Sequence, residues 1–381
     1  MNKIITIIAL VLMSLNGKTQ FVETILVFPT GADGMCVDQA GNLYSASGGL
    51  SGYTVGQFNL ELNAFESDFI IGLVGPTDVD FMNDSILIIT NYDIDKMSAF
   101  NFNTMELVTI AEGLDGPAGI AIDDDDNIFV TNWGNAPEYH GHTITKISAS
   151  GGSWTYIDSS ALNRPQAIAF NHESTLIAHS DGYLYKIQDS DSTLHLWTTL
   201  GVGVGNMVFR EKDSCLYAGG GHRILKIDTS GAVSTFAGST SGYNDGDLDE
   251  ALFDTPLGIT FSPGEDTLYI SEAGAVRRLR RIIMNGFVEV NSEETNNSDL
   301  KMYPNPLEMG DELHIESPSK EVDYIALYST EGHLLYTHLS SNSSGNVTIP
   351  ASIFSDKPSG TYIVVIVNQN GDEKHQCLII R

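Results

Sequence analysis

The chain repeats one unit six times at a spacing in the forties, and a repeat of that length constrains the fold more than any other feature. The copies begin GMCVDQAGNLYSAS at Gly34, DVDFMNDSILIITN at Asp78 and GIAIDDDDNIFVTN at Gly119. They continue AIAFNHESTLIAHS at Ala167, NMVFREKDSCLYAGG at Asn206 and GITFSPGEDTLYISE at Gly258. Each is an alternating apolar strand, a polar turn and a second apolar strand. The equivalent residues Val37, Phe81, Ile122, Phe170, Phe209 and Phe261 stand 44, 41, 48, 39 and 52 positions apart. Pro29, Pro76, Pro117, Pro165 and Pro256 precede five copies, and Gly205 stands where the fifth copy lacks a proline. Proline has no amide for a sheet ladder, so it suits the start of a strand.

A third and often a fourth strand follow each pair, as in HRILKIDTSGAVSTFAG from His222. A lone four-stranded sheet cannot bury both faces. Stacking such sheets around an axis does so and leaves only short edges. The expectation is an all-β chain with a six-bladed β-propeller over residues 21–290. One blade of a closed ring usually draws strands from both termini. FVETILVF (Phe21–Phe28) and GFVEV (Gly286–Val290) compete for that place, and the sequence leaves the choice open.

Residues 232–281 contain a strand ending in AG, a loop with DG, then A-x-F, P-x-G-I, L-Y-I and an arginine-rich strand. This resembles the NHL-repeat pattern, and GPAGIAIDDDDNIFVTN at 116–132 matches it again. NYD, TNW and AHS stand where that family usually has V-A-D. The resemblance implies a propeller used mostly as a binding platform, with a minority of enzymes in related families. It also implies that Arg277, Arg278, Arg280 and Arg281 pair with acidic loops.

Residues 291–300, NSEETNNSDL, read as a polar linker. Short strands bounded by Gly, Asn and Ser then fill 301–381, which suggests a small Ig-like β-sandwich. Tyr303-Pro304-Asn305-Pro306, then YSTEG ending at Gly332, then Gly360 and Tyr362 in SGTYIVVI, then Ile379-Ile380-Arg381 come in that order. The order resembles the type A C-terminal sorting domain of the type IX secretion system. The resemblance implies a Bacteroidota-type host, export across the outer membrane, recognition by the translocon and removal by a sorting protease.

The other end agrees with export. In residues 1–20 one lysine, Lys3, precedes an apolar run from Ile4 to Leu15, and a polar end follows, the pattern of a secretory signal peptide. That run is too short to span a membrane as a helix, and no other stretch approaches ~18 consecutive apolar residues. The expected location is secreted or at the cell surface, with no transmembrane segment. Cys36, Cys215 and Cys377 are an odd set, and the first two sit in apolar strands, so they make no disulfide framework. With 49 acidic and 19 basic residues the formal charge is −30. A phosphate backbone needs clustered Lys and Arg, so this charge argues against a nucleic-acid partner.

Propellers bind at the axial mouth, where the loops into the first strand and out of the second converge. The polar residues there are Asp33, Asp78, Asn91, Asn132, His179, Asn206 and Glu272. Trp133 and Tyr139 accompany His140 and His142 in the long third-blade loop. That loop reads as packing over the mouth, with a sugar platform as the alternative. The candidate ligand-binding set is Asn91, Asn132, Trp133, His179, Asn206 and Glu272. Oxygen donors from several blades could hold Ca²⁺, with Asn91, Asn132 and Glu272 as its ligands. A similar set binds the catalytic metal in gluconolactonase-type propellers, but blades three and six start PAG and PLG, without that family's Asn or Asp. The Asp123–Asp126 run lacks the Gly and Glu positions of an EF-hand loop and reads as a tight turn. No Ser-His-Asp order stands out, and GVGVGN at 201–206 lacks the helix a dinucleotide site needs.

The expected function is an exported, monomeric binding module for an extracellular protein or glycan, with no cofactor required. The alternative is a metal-dependent hydrolase or lyase of the gluconolactonase or amidating-lyase kind.

Overall fold

The structure is a computed structural model. It describes residues 20–28, 32–48, 52–59, 64–188, 192–284, 301–308, 310–316, 322–329, 334–339, 346–355, 360–368 and 373–380. The signal peptide (but for Gln20), Gly286–Val290, the linker and Gly332 lie outside them. The chain divides into two compact units, Met1–Val288 and Glu289–Arg381.

The described strands of the first unit form six antiparallel sheets. Their innermost strands are Met35–Val37, Val79–Asn83, Pro117–Ile122, Ile168–Phe170, Val204–Arg210 and Pro256–Phe261. Each packs beside the next, and the sixth returns to pack beside the first, so the sheets are six blades of a closed ring. Five blades are contiguous in sequence. The sixth takes Pro256–Phe261, Thr267–Glu272 and Arg278–Ile283, its fourth strand is Phe21–Val27, and the short Gly246–Asp247 pairs on the far side of that. The N-terminal segment therefore closes the ring. Val22, opposite Ile282, is fully buried, and Arg281 pairs with Glu23 at 2.5 Å.

The core lies between blades rather than inside any one of them. In the second blade Leu87 and Ile89 pack with Tyr44 and Val55 of the first. Ile88, between them, packs with Ile120 and Val130 of the third. Alternate side chains leave a strand on opposite faces, so a strand covered on both sides reads as an unbroken apolar run such as ILII.

Buried hydroxyls staple blade to blade at the axis. Thr131 Oγ1 accepts from the Gly119 amide at 2.8 Å and donates to the Gln166 carbonyl of the fourth blade at 2.7 Å. Ser271 Oγ accepts from the Gly258 amide at 2.8 Å and donates to the Asp33 carbonyl of the first blade at 2.9 Å. Thr90 Oγ1 accepts from the Asp78 amide at 2.8 Å, and Thr77 Oγ1 donates to the Pro117 carbonyl of the third blade at 3.1 Å. These bonds satisfy inner-strand amides and carbonyls that the sheet ladder leaves open.

The arginine strand and the DG loop form one structural unit. Arg280 is fully buried and reaches Glu272 at 3.2 Å and Asp245 at 2.8 Å. Arg278 lies 3.6 Å from Glu272. Cys36 and Cys215 are free and buried.

In the second unit a three-stranded sheet (Lys301–Tyr303, Leu313–Glu316, Asn346–Ile349) and a four-stranded sheet (Val322–Ser329, Leu334–Leu339, Gly360–Asn368, Glu373–Ile380) share one core. Leu313, Ile315, Ile325, Leu327, Tyr362 and Leu378 are buried in it. This is the expected Ig-like sandwich. Tyr303 Oη donates to Glu316 Oε1 at 2.5 Å.

Candidate functional site

Six equivalent backbone positions ring the axis, one per blade: Gly34, Asp78, Gly119, Ala167, Asn206 and Gly258. Four are Gly or Ala, and the two longer side chains sit in the second and fifth blades, opposite each other in a ring of six. They meet: Asn206 Nδ2 donates to Asp78 Oδ1 at 2.9 Å. Asp78 Oδ1 also accepts from the Val79 amide at 3.0 Å, and Oδ2 accepts from the Ile120 amide at 2.9 Å. One carboxylate thus ties three blades together. Gly34 makes room for it, because a Cβ there would lie 2.0 Å from Asp78 Oδ1.

The Asp78–Asn206 contact borders two cavities. One, at the mouth, has a volume of about 390 Å³ and is lined by Asp33, Thr77, Asp78, Gln166 and Asn206 together with the rings of Tyr92, Trp133 and Tyr139. The other, of about 370 Å³, is lined by apolar side chains such as Met35, Ile120, Ile168 and Met207 and by polar ones, among them Asp80, Asp123, Asp124, His172 and Glu211. Among the described residues the mouth cavity has no Lys, Arg or His in its lining.

Burial without a counter-charge decides the state of these carboxyls. It pushes Asp33 up to about 7, partly offset by the Gly34 amide. Asp80 is pushed up to about 7 in the same way, offset by the Phe81 amide. Burial also holds Asp78 well above the usual range, against the Ile120 and Val79 amides and with the Asp80 and Asp33 charges adding to the rise.

The aromatic wall is pre-built. The Trp133 and Gly134 amides donate to the Gly116 and Asp115 carbonyls at 2.9 Å each, and the Gly141 amide returns to the Trp133 carbonyl at 2.9 Å. Tyr92 Oη donates to the Gly134 carbonyl at 2.8 Å. Asn135 Nδ2 ties the loop to Asp95 at 2.8 Å and to Asp115 at 3.1 Å. The Arg164 guanidinium lies 5.7 Å from the Trp133 ring centre. Tyr139 is 40% exposed, which leaves its ring available at the rim.

Two of the sequence candidates, Trp133 and Asn206, line the mouth. The structure places the other four outside both axial cavities. Asn91 Oδ1 accepts from the Val74 amide at 3.1 Å, Asn132 Oδ1 from the Asp115 amide at 3.4 Å, and Glu272 Oε1 from the Asp254 amide at 2.8 Å. Each of those amides lies two residues before the proline that opens the blade. In the fourth blade Ser180 does the same for the Asn163 amide, at 2.6 Å. His179 is buried, which lowers its ring to about 4, and its Nε2 accepts from the Gly182 amide at 3.1 Å. Among the described residues no three His, Cys, Asp or Glu side chains gather as a cation site.

Tyr92, Thr77, Gln166 and Asp80 also line these cavities and are not among the residues that stand out in the sequence. A signal for Tyr92 was present: it follows Asn91 as Trp133 follows Asn132. Thr77 and Gln166 stand one residue after a blade-opening proline.

The second unit decides where the chain works. Residues 301–381 match the secretion system C-terminal sorting domain family. The sorting domain directs export by the type IX system to the cell surface or the medium, and it engages that machinery. No described helix is long and apolar enough to cross a membrane. No curated protein matches the sequence.

Solved structures share the propeller. An auxiliary nutrient binding protein from Bacteroides thetaiotaomicron is 19% identical, with a TM-score of 0.55 over 70% of this chain and 76% of that one. A gluconolactonase from Xanthomonas campestris is 13% identical, with a TM-score of 0.56 over 71% and 92%. Virginiamycin B lyase from Staphylococcus aureus is 14% identical, with a TM-score of 0.52 over 69% and 99%. At such identities the likeness is one of fold.

Proposed function

We propose that the exported propeller is a binding module whose axial mouth takes an extracellular glycan. The observation that carries this reading is the joining of three aromatic rings with carboxylate, amide and hydroxyl groups in one concave site. A sugar ring offers an apolar C–H face for stacking and hydroxyls for planar polar groups, and a cavity of about 390 Å³ is of ligand size. The fold neighbours include a nutrient-binding protein as well as a lactonase and a lyase, so fold does not choose between binding and catalysis.

The donor set supports binding. In a metal-dependent hydrolase or lyase, Asn91, Asn132 and Glu272 would turn their oxygens to the ion. Here those oxygens accept backbone amides of their own blades, and the residues do not fit a shared cation. The same reading has the propeller act as a monomer and has a sorting protease remove the sorting domain.

Glycan-array binding of the exported chain tests the proposal. Signal on a defined set of glycans should fall at least tenfold in Trp133→Ala. Equal signal from the variant, or no signal from the parent, would sink it.

A further inference from the structure

The mouth is lined by carboxyl groups as well as aromatic rings. Asp33 and Asp78 both face the cavity, and no Lys, Arg or His lines it among the described residues. The two carboxyls differ in what holds them. Asp78 is bound on both oxygens, by Asn206, Val79 and Ile120. Among the described residues Asp33 is eased only by the nearby Gly34 amide, which itself donates to the Thr77 carbonyl at 2.9 Å, and it is partly buried at the start of the first blade. Tyr92, Trp133 and Tyr139 come from the second and third blades and complete the lining.

A desolvated carboxylate that shares a cavity with aromatic rings is a place for a cation. The ring faces carry negative quadrupole potential and attract an ammonium, more so when water is excluded. A neutral ligand leaves Asp33 without a counter-charge, whereas an ammonium supplies one. We propose that the mouth selects a ligand carrying a protonated amine, with an amino sugar as the glycan class, its ammonium on Asp33 and its ring on the Trp133 wall. This rests on the glycan reading and narrows it.

The acid–base consequence follows. Asp33 shares the cavity with Asp78, and the charges of Asp33 and of Asp80, in the other cavity, both act on Asp78. Arg164, stacked by Trp133, does not line the cavity. With the Asp33 carboxyl at about 7 in the free protein, an ammonium must displace its proton at lower pH. Cation affinity then falls as pH drops below 7, by about tenfold per unit once the carboxyl is mostly protonated.

Calorimetric titration of the full exported chain with glucosamine, N-acetylglucosamine and choline tests this. Glucosamine should bind at least tenfold tighter than N-acetylglucosamine at pH 7. The preference should shrink at pH 5.5. It should vanish in Asp33→Asn, whose circular-dichroism spectrum should match that of the parent and so show that it is folded. Equal binding of the two sugars at pH 7 would overturn the amine inference and leave the glycan reading standing. Binding of choline with neither sugar would keep the cation site and overturn the glycan reading. Binding of none of the three would overturn the amine inference.

Discussion

Asn206 and Asp78 stand 128 residues apart in the chain and 2.9 Å apart in the fold, joined across the propeller axis. Asn206 is locked for the role by its own backbone, since the Met207 amide donates to Asn206 Oδ1 at 2.6 Å and so turns the amide nitrogen to the axis. Asn206→Ala removes both bonds. It should cost about 1–2 kcal/mol in urea unfolding, in line with one or two partly buried hydrogen bonds. Asp78→Leu should cost more, because it strands the Ile120 and Val79 amides in a buried place. Equal midpoints for the parent and Asp78→Leu would refute the tie.

Gly34 is set by contact rather than by backbone angle. A Cβ there would sit 2.0 Å from Asp78 Oδ1 and 2.8 Å from Asp78 Cα, and the second of these is backbone that cannot swing away. Gly34→Ala should destabilise by about 1–3 kcal/mol, the usual cost of overpacking a tight site. The double variant Gly34→Ala with Asp78→Ala should recover part of that loss, measured as a coupling energy in a double-mutant cycle.

Thr131 tests the staples between blades. Thr131→Val keeps the shape and deletes the oxygen that serves the Gly119 amide and the Gln166 carbonyl. The expected loss is about 1–3 kcal/mol, from leaving two buried backbone groups unsatisfied. A loss no larger than that of an exposed Thr→Val, such as Thr104→Val, would show that water takes over the staple.

The axial carboxyls predict how stability depends on pH. Burial pushes Asp33 and Asp80 up to about 7 in the folded protein, while in the unfolded chain they return to the ordinary aspartate value of 3.8. Between those values the native state holds more protons than the unfolded state, so stability falls as pH rises across that window and levels off above it. Self-repulsion of a chain with a formal charge of −30 acts in the same direction, so the variants carry the test. Asp80→Asn keeps an oxygen for the Phe81 amide and should flatten the slope of unfolding midpoint against pH. An unchanged slope in that variant would assign the pH dependence to net charge alone.

Much of this was legible in the sequence, for physical reasons that also mark the limit. The period of alternating strands counted the blades, because every inner strand must present the same two faces to its neighbours. The closing strand was not legible: FVETILVF and GFVEV are both strand-like apolar segments, and the burial of Val22 against Ile282 and the ion pair of Glu23 with Arg281 depend on three-dimensional pairing. Among the site residues, Trp133 and Asn206 were found because their chemistry stands out beside a strand end. Asn91, Asn132 and Glu272 also stand out there, but a local need claims their oxygens: the amide two residues before each blade-opening proline must be satisfied. The pairing of Asp78 with Asn206 could not be read, because it depends on which blades face each other once the ring has closed.

Export rests on a separate part of the chain. Deleting residues 301–381 should leave the propeller in the periplasm, followed by cell fractionation and blotting, while the intact chain reaches the surface or the medium. Unchanged export of the truncated chain would contradict the sorting role.

Binding at the mouth is tested most directly by a crystal structure of the full chain with its strongest array ligand. The expected result is a sugar ring stacked on the Trp133 indole, within hydrogen-bond reach of Asp33 and Asn206. A ligand seated elsewhere, with only water in the mouth, would contradict a propeller that binds at its axis.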